Sequence, residues 1–436
     1  MLEENLIKIY ETSFRENREM PALTDYFKGE TFSYYEMAKE IAKLHLLFKK
    51  AGVKKGDKIA LIGRNNPRWC ITYIATISYG AVIVPILQDF APADIIHIIN
   101  HSESKLLFLG DNFWDIIEED QIRQIEAVFS LTDFHAIYER NGKALTKFQR
   151  DILKNYRSKY PRGFSVNDIK YPEIPNDEVI LLNYTSGTTG RPKGVMLTHG
   201  NIVSNVKATL ECVFPQVGDI FLSFLPLSHT FERTAGYYLA LATGCTIAYN
   251  RSVLLLADDL KTIRPTVIIS VPRVYERIFA RVHDKLKKSR PAARYLFDWA
   301  VEIGWRDFCR RNHLPVEHTG RAWLDGLMRP LVRKVSSTLL DQFGGRLRIA
   351  ISGGAALSSK VARTFCGLGL PIIQGYGMTE ASPIIAGNNR TLNQPNTVGK
   401  PFNNVEVRLG EGDEIQIKGP SITRGYWNRP DATADA

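Results

Sequence analysis

Cysteine is scarce in this chain. Its 436 residues include five cysteines, at positions 70, 212, 245, 309 and 366, and no two of them have C-x-x-C spacing. An odd number of scattered cysteines argues against a disulfide framework and against a zinc site, and it is typical of proteins from a reducing compartment. The sequence therefore predicts a cytoplasmic protein.

Long hydrophobic segments are also lacking. The longest uncharged run covers residues 69–88, which is long enough to span a membrane. It contains Gly80 and Pro85 and a β-type run at 81–85, so we predict a buried helix followed by a buried strand. The N-terminus carries early acidic residues and no apolar core, which excludes a secretory signal.

Several familiar fingerprints are missing as well. There is no G-x-x-x-x-G-K-[ST] and no G-x-G-x-x-G, so the sequence predicts neither a Walker loop nor a dinucleotide-binding loop. There is no G-x-S-x-G, which argues against a serine hydrolase of the α/β type. Internal repeats and low-complexity segments are absent too.

What the chain does contain is an alternation of short β-rich runs with longer helical runs. A length of 436 residues exceeds the roughly 250–300 residues that one core organises. Alternation of this kind predicts parallel sheets covered by helices. The predicted strands lie at 58–63, 80–85, 105–110, 178–184, 266–270, 346–351 and 371–374, and a hairpin is predicted at 405–409 and 414–418.

The predicted fold class is therefore α/β, with two doubly wound lobes packed together and a small antiparallel β module. We place the first lobe at residues 1–177 and the second at 178–385. The β module begins within 386–436.

The positive charge of the chain is regional. Lys and Arg number 56 and Asp and Glu 46, a net charge of +10, and residues 273–348 alone hold 17 basic and 8 acidic residues (17 − 8 = +9). One interpretation is a set of solvated helix faces. The other is a surface that meets anionic lipid headgroups or an acidic ligand, which would make the protein peripheral to a membrane. Nucleic acid is not predicted as a partner, because no binding motif accompanies the cations.

The strongest motif is residues 184–195, YTSGTTGRPKGV, between a predicted buried strand and a helix predicted to start near Thr198. Its glycines allow close approach of an anion, and its hydroxyls and amides can donate hydrogen bonds to phosphate oxygens. Lys193 and Arg191 add positive charge. The segment predicts a polyphosphate-binding loop.

This loop resembles the phosphate-binding signature of the acyl-adenylate-forming superfamily, which includes acyl-CoA synthetases, luciferases and adenylation domains. Further segments resemble other motifs of that superfamily: 31–37 (TFSYYEM), 80–85 (GAVIVP), 225–233 (LPLSHTFER), 375–380 (GYGMTE) and 413–426 (DEIQIKGPSITRGY). Within it, 226–233 and 271–277 (VPRVYER) look most similar to the long-chain fatty acid–CoA ligases. The resemblance covers nearly the whole chain.

The resemblance implies roles for individual residues. Tyr376 would stack on adenine, Thr379 would bond the α-phosphate, and Glu380 with Thr185 would hold Mg²⁺. His229 would lie near the substrate carboxylate, and Lys193 would bind phosphate. The implied ATP-binding residues are Thr185, Ser186, Gly187, Thr188, Thr189, Gly190, Lys193, Ser352, Gly353, Gly354, Ala355, Gln374, Gly375, Tyr376, Gly377, Met378 and Thr379. The implied acyl-binding residues are His229, Phe231, Gly353 and Gly354, and the implied catalytic residues are Lys193, Thr185, His229 and Glu380.

Taken without the resemblance, some of these residues have simpler interpretations. Tyr376 could equally be an aromatic residue of the core, and Glu380 a carboxylate that stabilises a helix N-terminus. Residues 352–356 could equally form an ordinary glycine turn. His229 following Ser228 is also compatible with a structural histidine.

The implied activity is ATP-dependent formation of an acyl-AMP from a long-chain fatty acid, followed by transfer to coenzyme A, with Mg²⁺ as cofactor. In the superfamily a ribose-binding Asp, a hinge and a lid domain with an adenylation Lys follow the last motif seen here. The lid is absent from this sequence, so we expect the chain alone to be nearly inactive. The alternatives are a medium-chain or aryl acid–CoA ligase, an acyl-AMP ligase, and a non-catalytic nucleotide- or lipid-binding domain.

Overall fold

A computed structural model describes residues 3–185, 190–316 and 322–436 of the chain. It has an α/β architecture. The strands are β1 (Pro21–Asp25), β2 (Glu30–Ser33), β3 (Lys58–Ile62), β4 (Val82–Ile86), β5 (Ser104–Leu109), β6 (Ala127–Ser130), β7 (Ala136–Glu139), β8 (Val179–Thr185), β9 (Lys193–Thr198), β10 (Ile220–Ser223), β11 (Thr246–Tyr249), β12 (Val267–Ser270), β13 (Ile349–Ser352), β14 (Ile372–Gly377), β15 (Ile384–Gly387), β16 (Lys400–Pro401), β17 (Glu406–Leu409) and β18 (Ile415–Lys418).

Helices cover both faces of the large sheets. The α-helices are α1 (Leu6–Glu16), α2 (Tyr34–Lys50), α3 (Pro67–Tyr79), α4 (Pro92–His101), α5 (Ala144–Arg150), α6 (Ile152–Lys159), α7 (His199–Val213), α8 (Thr230–Glu232), α9 (Leu239–Ala242), α10 (Leu256–Ile263), α11 (Pro272–Lys287), α12 (Pro291–Arg311), α13 (Ala322–Leu340), α14 (Ser359–Gly367) and α15 (Pro430–Asp435). A π-helical segment, Arg233–Tyr238, joins α8 to α9, and short 3₁₀ turns include Val253–Leu255 and Thr379–Ala381.

The strands form two large sheets and one hairpin, as the sequence predicts. The seven-stranded sheet has the order β7-β6-β5-β3-β4-β8-β9, and the nine-stranded sheet the order β16-β15-β14-β13-β12-β10-β11-β1-β2. Pairing is parallel in the centre of each sheet and antiparallel toward its edges. Strands β17 and β18 form a separate antiparallel pair, which confirms the predicted hairpin.

The two sheets exchange strands across the predicted lobe boundary. Strands β1 and β2, from the start of the chain, lie in the nine-stranded sheet, whereas β8 and β9, which follow residue 177, lie in the seven-stranded one. The domain boundary at 177/178 remains a prediction. The strands on either side of it do not sort into separate sheets. Sequence patterns report strand periodicity and carry no signal for which sheet a strand joins.

The largest hydrophobic cluster lies between the sheets. It contains side chains of α1, α2, α3, α7 and the π-helical segment, together with inward-facing residues of both sheets. Asn65, after β3, donates to Ser223 Oγ at 2.9 Å and to the Leu225 carbonyl at 2.6 Å, and accepts from Leu227 N at 2.9 Å. This side chain fixes the loop after β10 against the other sheet.

The long uncharged run at 69–88 lies inside this core. It forms most of α3, then the turn at Gly80 and strand β4, which confirms the predicted helix followed by a strand. Within the described residues no helix has the length and apolar character needed to cross a bilayer. All five cysteines are buried and free.

Candidate active site

Three motifs that are far apart in the sequence meet in one cleft at the carboxyl ends of β10, β13 and β14. This is the edge at which parallel α/β sheets bind ligands. The cleft encloses about 230 Å³. Its lining residues are His229, Thr230, Phe231, Gly353, Gly354, Gly375, Tyr376, Gly377, Met378, Thr379, Pro383 and Ile384.

Glycine at 353 is required by the close approach of an aromatic ring. A Cβ on Gly353 would lie 2.7 Å from Cζ of Phe231, so the ring rests directly on the backbone of the 352–356 loop. Gly354 has φ +79°, a conformation that L side chains rarely adopt. The backbone of this loop therefore forms the cleft wall without side chains at 353 and 354.

The turn that carries Thr379 and Glu380 is held from helix α7. Asn205 donates to the carbonyls of Ala381 (3.3 Å) and Ile384 (2.7 Å), and accepts from Ile384 N. On the cleft side, Thr379 Oγ1 lies 3.3 Å from Thr230 Oγ1, so two of the three motifs touch. These contacts fix the hydroxyl of Thr379 at the cleft wall.

Lys193 begins a strand that the sequence analysis did not predict. This strand, β9, pairs antiparallel with β8. Thr185 and Lys193 face each other as the last pair of this hairpin. Helix α7 begins only after β9, with Thr198 as its N-cap, so the predicted start near Thr198 is correct.

A chain of contacts joins Lys193 to the predicted metal ligand. Lys193 Nζ lies 5.3 Å from the centre of the Tyr426 ring, a cation–π distance, and Tyr426 donates its hydroxyl to Glu380 Oε1 at 2.8 Å. Burial and then Glu380 raise the pKa of Tyr426 to about 12. Tyr426 therefore stays a hydrogen-bond donor at neutral pH. It links Glu380 to the β8–β9 hairpin, which carries the predicted phosphate-binding loop and is here called the phosphate hairpin.

Sequence reasoning missed this role of Tyr426, although the residue ends one of the quoted motifs. Its segment runs beside β9: Met196 N donates to the Gly425 carbonyl at 2.9 Å, and Trp427 N donates to the Gly194 carbonyl at 2.8 Å. Thr423 N donates to the Glu380 carbonyl at 2.7 Å. The tail of the chain thus binds the hairpin and the Glu380 turn together.

His229 lies at the mouth of the cleft and is exposed. Its Nδ1 accepts a hydrogen bond from Phe231 N at 3.3 Å, which shows that this nitrogen carries no proton. Surrounding protein and then the nearby Arg233 lower the pKa of His229. The ring is therefore neutral at pH 7, with Nε2 able to donate to a ligand oxygen.

Arg233 is buried and is held by neutral acceptors. It donates to the carbonyls of Leu227 (3.0 Å) and Ser228 (3.1 Å), to Asn183 Oδ1 (2.6 Å) and to the Tyr238 hydroxyl (3.0 Å). Since Asn183 belongs to β8, this guanidinium ties the His229 loop to the strand that leads into the phosphate hairpin.

Its neighbour Glu232 is also buried, but its carboxylate lacks hydrogen-bond donors among the described residues. The side chain is 1% exposed, and neither carboxylate oxygen has a hydrogen-bond partner among the described residues. Burial raises the pKa of Glu232 well above its usual range, and the nearby Ser223 hydroxyl offsets this only in part. The folded state therefore favours the protonated form of this carboxyl group.

Two of the implied ATP-binding residues, Gln374 and Ser352, are buried. The Gln374 side chain accepts from Leu357 N at 2.8 Å and donates to the Pro395 carbonyl, so it fixes the 352–356 loop from behind. Ser352 is 1% exposed and its hydroxyl has no partner in the described part of the chain. Ala355 is exposed on the loop. Ser186, Gly187, Thr188 and Thr189 lie outside the described residues.

The site suits a magnesium ion that is held mainly by phosphates. The described residues include no group of three or more His, Cys, Asp or Glu side chains that could form a metal cage. Glu380 has one oxygen bonded to Tyr426, and its Oε2 has no partner among the residues that the structure describes. One carboxylate beside a phosphate loop is a usual arrangement for Mg²⁺.

An apolar groove adjoins the cleft. It encloses about 290 Å³ between α10, α11 and the loop after β10, and its walls include Phe224, Leu225, Leu260 and Val274. Val271 lines the groove, and its Cγ1 would lie 3.9 Å from a Cβ on Gly354. The groove therefore approaches the cleft at the 352–356 loop.

Comparisons with known proteins agree with this geometry. A family model described as AMP-binding enzyme matches residues 10–427. "Long chain acyl-CoA synthetase 7, peroxisomal" of Arabidopsis thaliana is 30% identical over 88% of this chain and 55% of its own length. "Long-chain-fatty-acid--[acyl-carrier-protein] ligase AEE15, chloroplastic" of the same plant is 26% identical over 92% of this chain and 60% of its own length. The chain thus spans little more than half the length of these relatives.

Solved structures share the fold at low identity. The N-terminal domain of FACL13 from Mycobacterium tuberculosis has a TM-score of 0.70 and 18% identity, with 99% of this chain and 93% of that chain covered. The anthranilate CoA ligase AuaEII in complex with anthranoyl-AMP has a TM-score of 0.73 and 17% identity, with 99% and 72% covered. These neighbours confirm the predicted fold class.

Proposed function

Because the chain belongs to the family of AMP-binding enzymes, we propose that it supplies the acid- and nucleotide-binding residues of a long-chain fatty acid–CoA ligase. Enzymes of this family use ATP, Mg²⁺ and coenzyme A. The observation that carries the proposal is the meeting of the 225–233, 352–356 and 375–380 segments in one cleft, beside a lysine that opens the phosphate hairpin.

The proposed reaction has two steps. An oxygen of the fatty acid carboxylate attacks the α-phosphorus of ATP, and the bond from that phosphorus to pyrophosphate breaks. The sulfur of coenzyme A then attacks the acyl carbon, the bond to AMP breaks, and the thiol proton passes to solvent. Lys193 stabilises phosphate charge, Thr379 bonds the α-phosphate and His229 Nε2 donates to the acid. Glu380, with Thr185, would hold the Mg²⁺ that neutralises pyrophosphate.

The apolar groove and the relatives favour a long-chain acid. A groove of about 290 Å³ next to the cleft offers an alkyl chain a place out of water. The printed names of the two curated relatives also specify long-chain substrates. A medium-chain or aryl acid is the same-fold alternative, and the carrier-protein ligase among the relatives favours a protein thiol as the alternative acceptor.

Calorimetry with non-hydrolysable acyl-AMP mimics tests the proposal without requiring turnover. We expect the palmitoyl mimic to bind at least tenfold more tightly than the octanoyl or benzoyl mimic, because each additional buried methylene contributes about 0.8 kcal/mol. Tighter binding of the benzoyl mimic would overturn the long-chain assignment. No binding of any mimic would favour a non-catalytic domain.

Lys193→Ala tests the phosphate-binding role directly. Loss of a charge-assisted bond to phosphate should weaken binding of the palmitoyl mimic roughly 10- to 100-fold. Lys418→Ala is the matched control, since Lys418 is an exposed lysine on β18. Equal affinities of the two variants would contradict the assignment of Lys193.

A further inference from the structure

Large apolar side chains are exposed at the turn Val253–Leu255, at the rim of the apolar groove. Leu254 is 90% exposed, Val253 55% and Leu255 38%. Exposed apolar residues that cluster in this way mark an interaction site rather than the ordinary scatter of a surface. No structural role in the fold explains Leu254, because its side chain packs against almost nothing.

Three arginines border the same groove from helix α11. Arg273, Arg277 and Arg281 follow one another at intervals of four residues, so they lie along one side of the helix, and all three line the groove. Each is exposed. Like charges at this spacing repel one another, so the row of arginines lowers the stability of the helix in the isolated chain.

The described part of the chain offers these arginines no counter-ion. Among the described residues, none of the three forms an ion pair or a hydrogen bond, although many other surface cations do. Lys285 and Lys288 extend the exposed cations toward the end of α11. The positive charge at this face is therefore available to an external anion.

We propose that Val253, Leu254, Leu255, Arg273, Arg277 and Arg281, here called the leucine–arginine patch, dock the protein on an anionic phospholipid surface. The leucine turn inserts between headgroups, and the arginines bind lipid phosphates. A second copy of the chain is a poor occupant, because a symmetric contact would place the arginine rows against each other. A nucleic acid would use the arginines but not Leu254.

Docking at this patch would face the apolar groove toward the bilayer. Phe224 and Leu225 line the groove on its cleft side, and Val253 and Leu254 line its rim. The surface assignment rests on exposure and charge alone and stands whichever acid the cleft accepts.

Vesicle co-sedimentation of the 436-residue chain tests the patch. We expect binding to mixed phosphatidylcholine–phosphatidylglycerol vesicles at low salt, weaker binding at high salt and little binding to phosphatidylcholine alone. Replacement of Arg273, Arg277 and Arg281 together by Gln should lower the partition coefficient about 100-fold. Leu254→Ser should lower it about tenfold.

Matched controls separate the patch from net charge and from general hydrophobicity. Lys49, Lys50 and Lys54 are exposed on another face, and their replacement by Gln removes the same charge. Leu409→Ser removes a leucine that is 67% exposed on β17. Both controls should bind vesicles like the original chain.

Three outcomes would overturn the proposal. One is no binding of the original chain to anionic vesicles. Another is an arginine variant that binds no more weakly than the lysine control. The third is tight capture by a duplex oligonucleotide together with unchanged vesicle binding of Leu254→Ser, which would identify a general polyanion site. All substitutions are at exposed positions, and circular dichroism checks that the variants fold.

Discussion

At the scale of single residues, two adjacent ionisable side chains, Glu232 at the end of α8 and Arg233 at the start of the π-helical segment, are both buried but differ in their hydrogen bonding. Arg233 has four hydrogen-bond acceptors, so its charge is compensated by dipoles. Neither Glu232 oxygen has a hydrogen-bond partner among the described residues, and burial raises the pKa of this carboxyl group. Only the Arg233 network therefore fixes the segment that carries His229.

Glu232 should give the protein a pH-dependent stability. Its pKa in the folded state is raised above the unfolded value of 4.5, so above pH 4.5 the unfolded chain loses a proton that the folded chain keeps. The free energy of unfolding should then fall with rising pH relative to Glu232→Gln, by at most about 1.4 kcal/mol per unit, until the pH reaches the folded-state pKa. Urea unfolding measures this pH dependence, at pH values about one to three units above the unfolded pKa of 4.5.

Glu276→Gln, at an exposed position on α11, is the control for this experiment. Its stability should follow that of the original chain across the range. If Glu232→Gln also follows the original chain, Glu232 is not protonated in the fold.

At the scale of elements, the site depends on an antiparallel hairpin added to the edge of a parallel run. Strand β14 is parallel to β13 and antiparallel to β15, and the 375–380 motif turns between β14 and β15. At Gly377 the strands approach so closely that a Cβ would lie 2.0 Å from the Pro383 carbonyl oxygen. The Pro383 carbonyl belongs to the backbone and cannot rotate away from an added Cβ as a side chain can, so glycine is required at position 377.

Gly377→Ala should therefore disrupt the β14–β15 pair. We expect a loss of roughly 2 kcal/mol or more in the free energy of unfolding, together with weaker binding of the palmitoyl-AMP mimic, since the motif lines the cleft. Gly412→Ala is the comparison: its φ is +68° with open space around it, so it measures conformational strain alone, about 1 kcal/mol. Urea midpoints that are equal for the two variants would contradict the steric argument.

At the scale of the whole molecule, the two sheets share one core. The largest hydrophobic cluster includes Leu61 and Phe108 of the seven-stranded sheet and Phe221 and Ile349 of the nine-stranded one. The exchange of β1, β2, β8 and β9 between the sheets means that neither can form from a continuous half of the chain.

Unfolding should accordingly be a single cooperative transition. Calorimetric and van't Hoff enthalpies from differential scanning calorimetry should agree, because loss of either sheet exposes the shared core of the other. Two separated transitions, or a folded fragment released by cleavage near residue 177, would show that the predicted lobes are independent. Asn65→Ala should lower the single midpoint without splitting it, since Asn65 contributes only a few of many contacts between the sheets.

Nine of the eighteen strands that the structure describes, and the nucleotide motifs, were predictable from the sequence. Local periodicity determines strands such as β3, β4 and β12, and the residue types at 184–195 and 375–380 specify phosphate and nucleotide chemistry. The strand β9 was not predicted, because its residues 193–198 follow a glycine-rich run and lead directly into a helix cap. The pairing that makes it a strand comes from β8 and the 424–427 segment.

The sequence by itself determined the α/β class, the absence of a C-x-x-C pair and the residue types of the candidate site, because these depend on composition and short-range pattern. Only the tertiary structure decided that Tyr426 links Lys193 to Glu380, that Phe231 lies on Gly353, and that Leu254 lines the same groove as three exposed arginines. Each of these findings concerns residues that are far apart in the chain and close together in the fold. Such contacts depend on how elements pack, which local residue patterns do not encode.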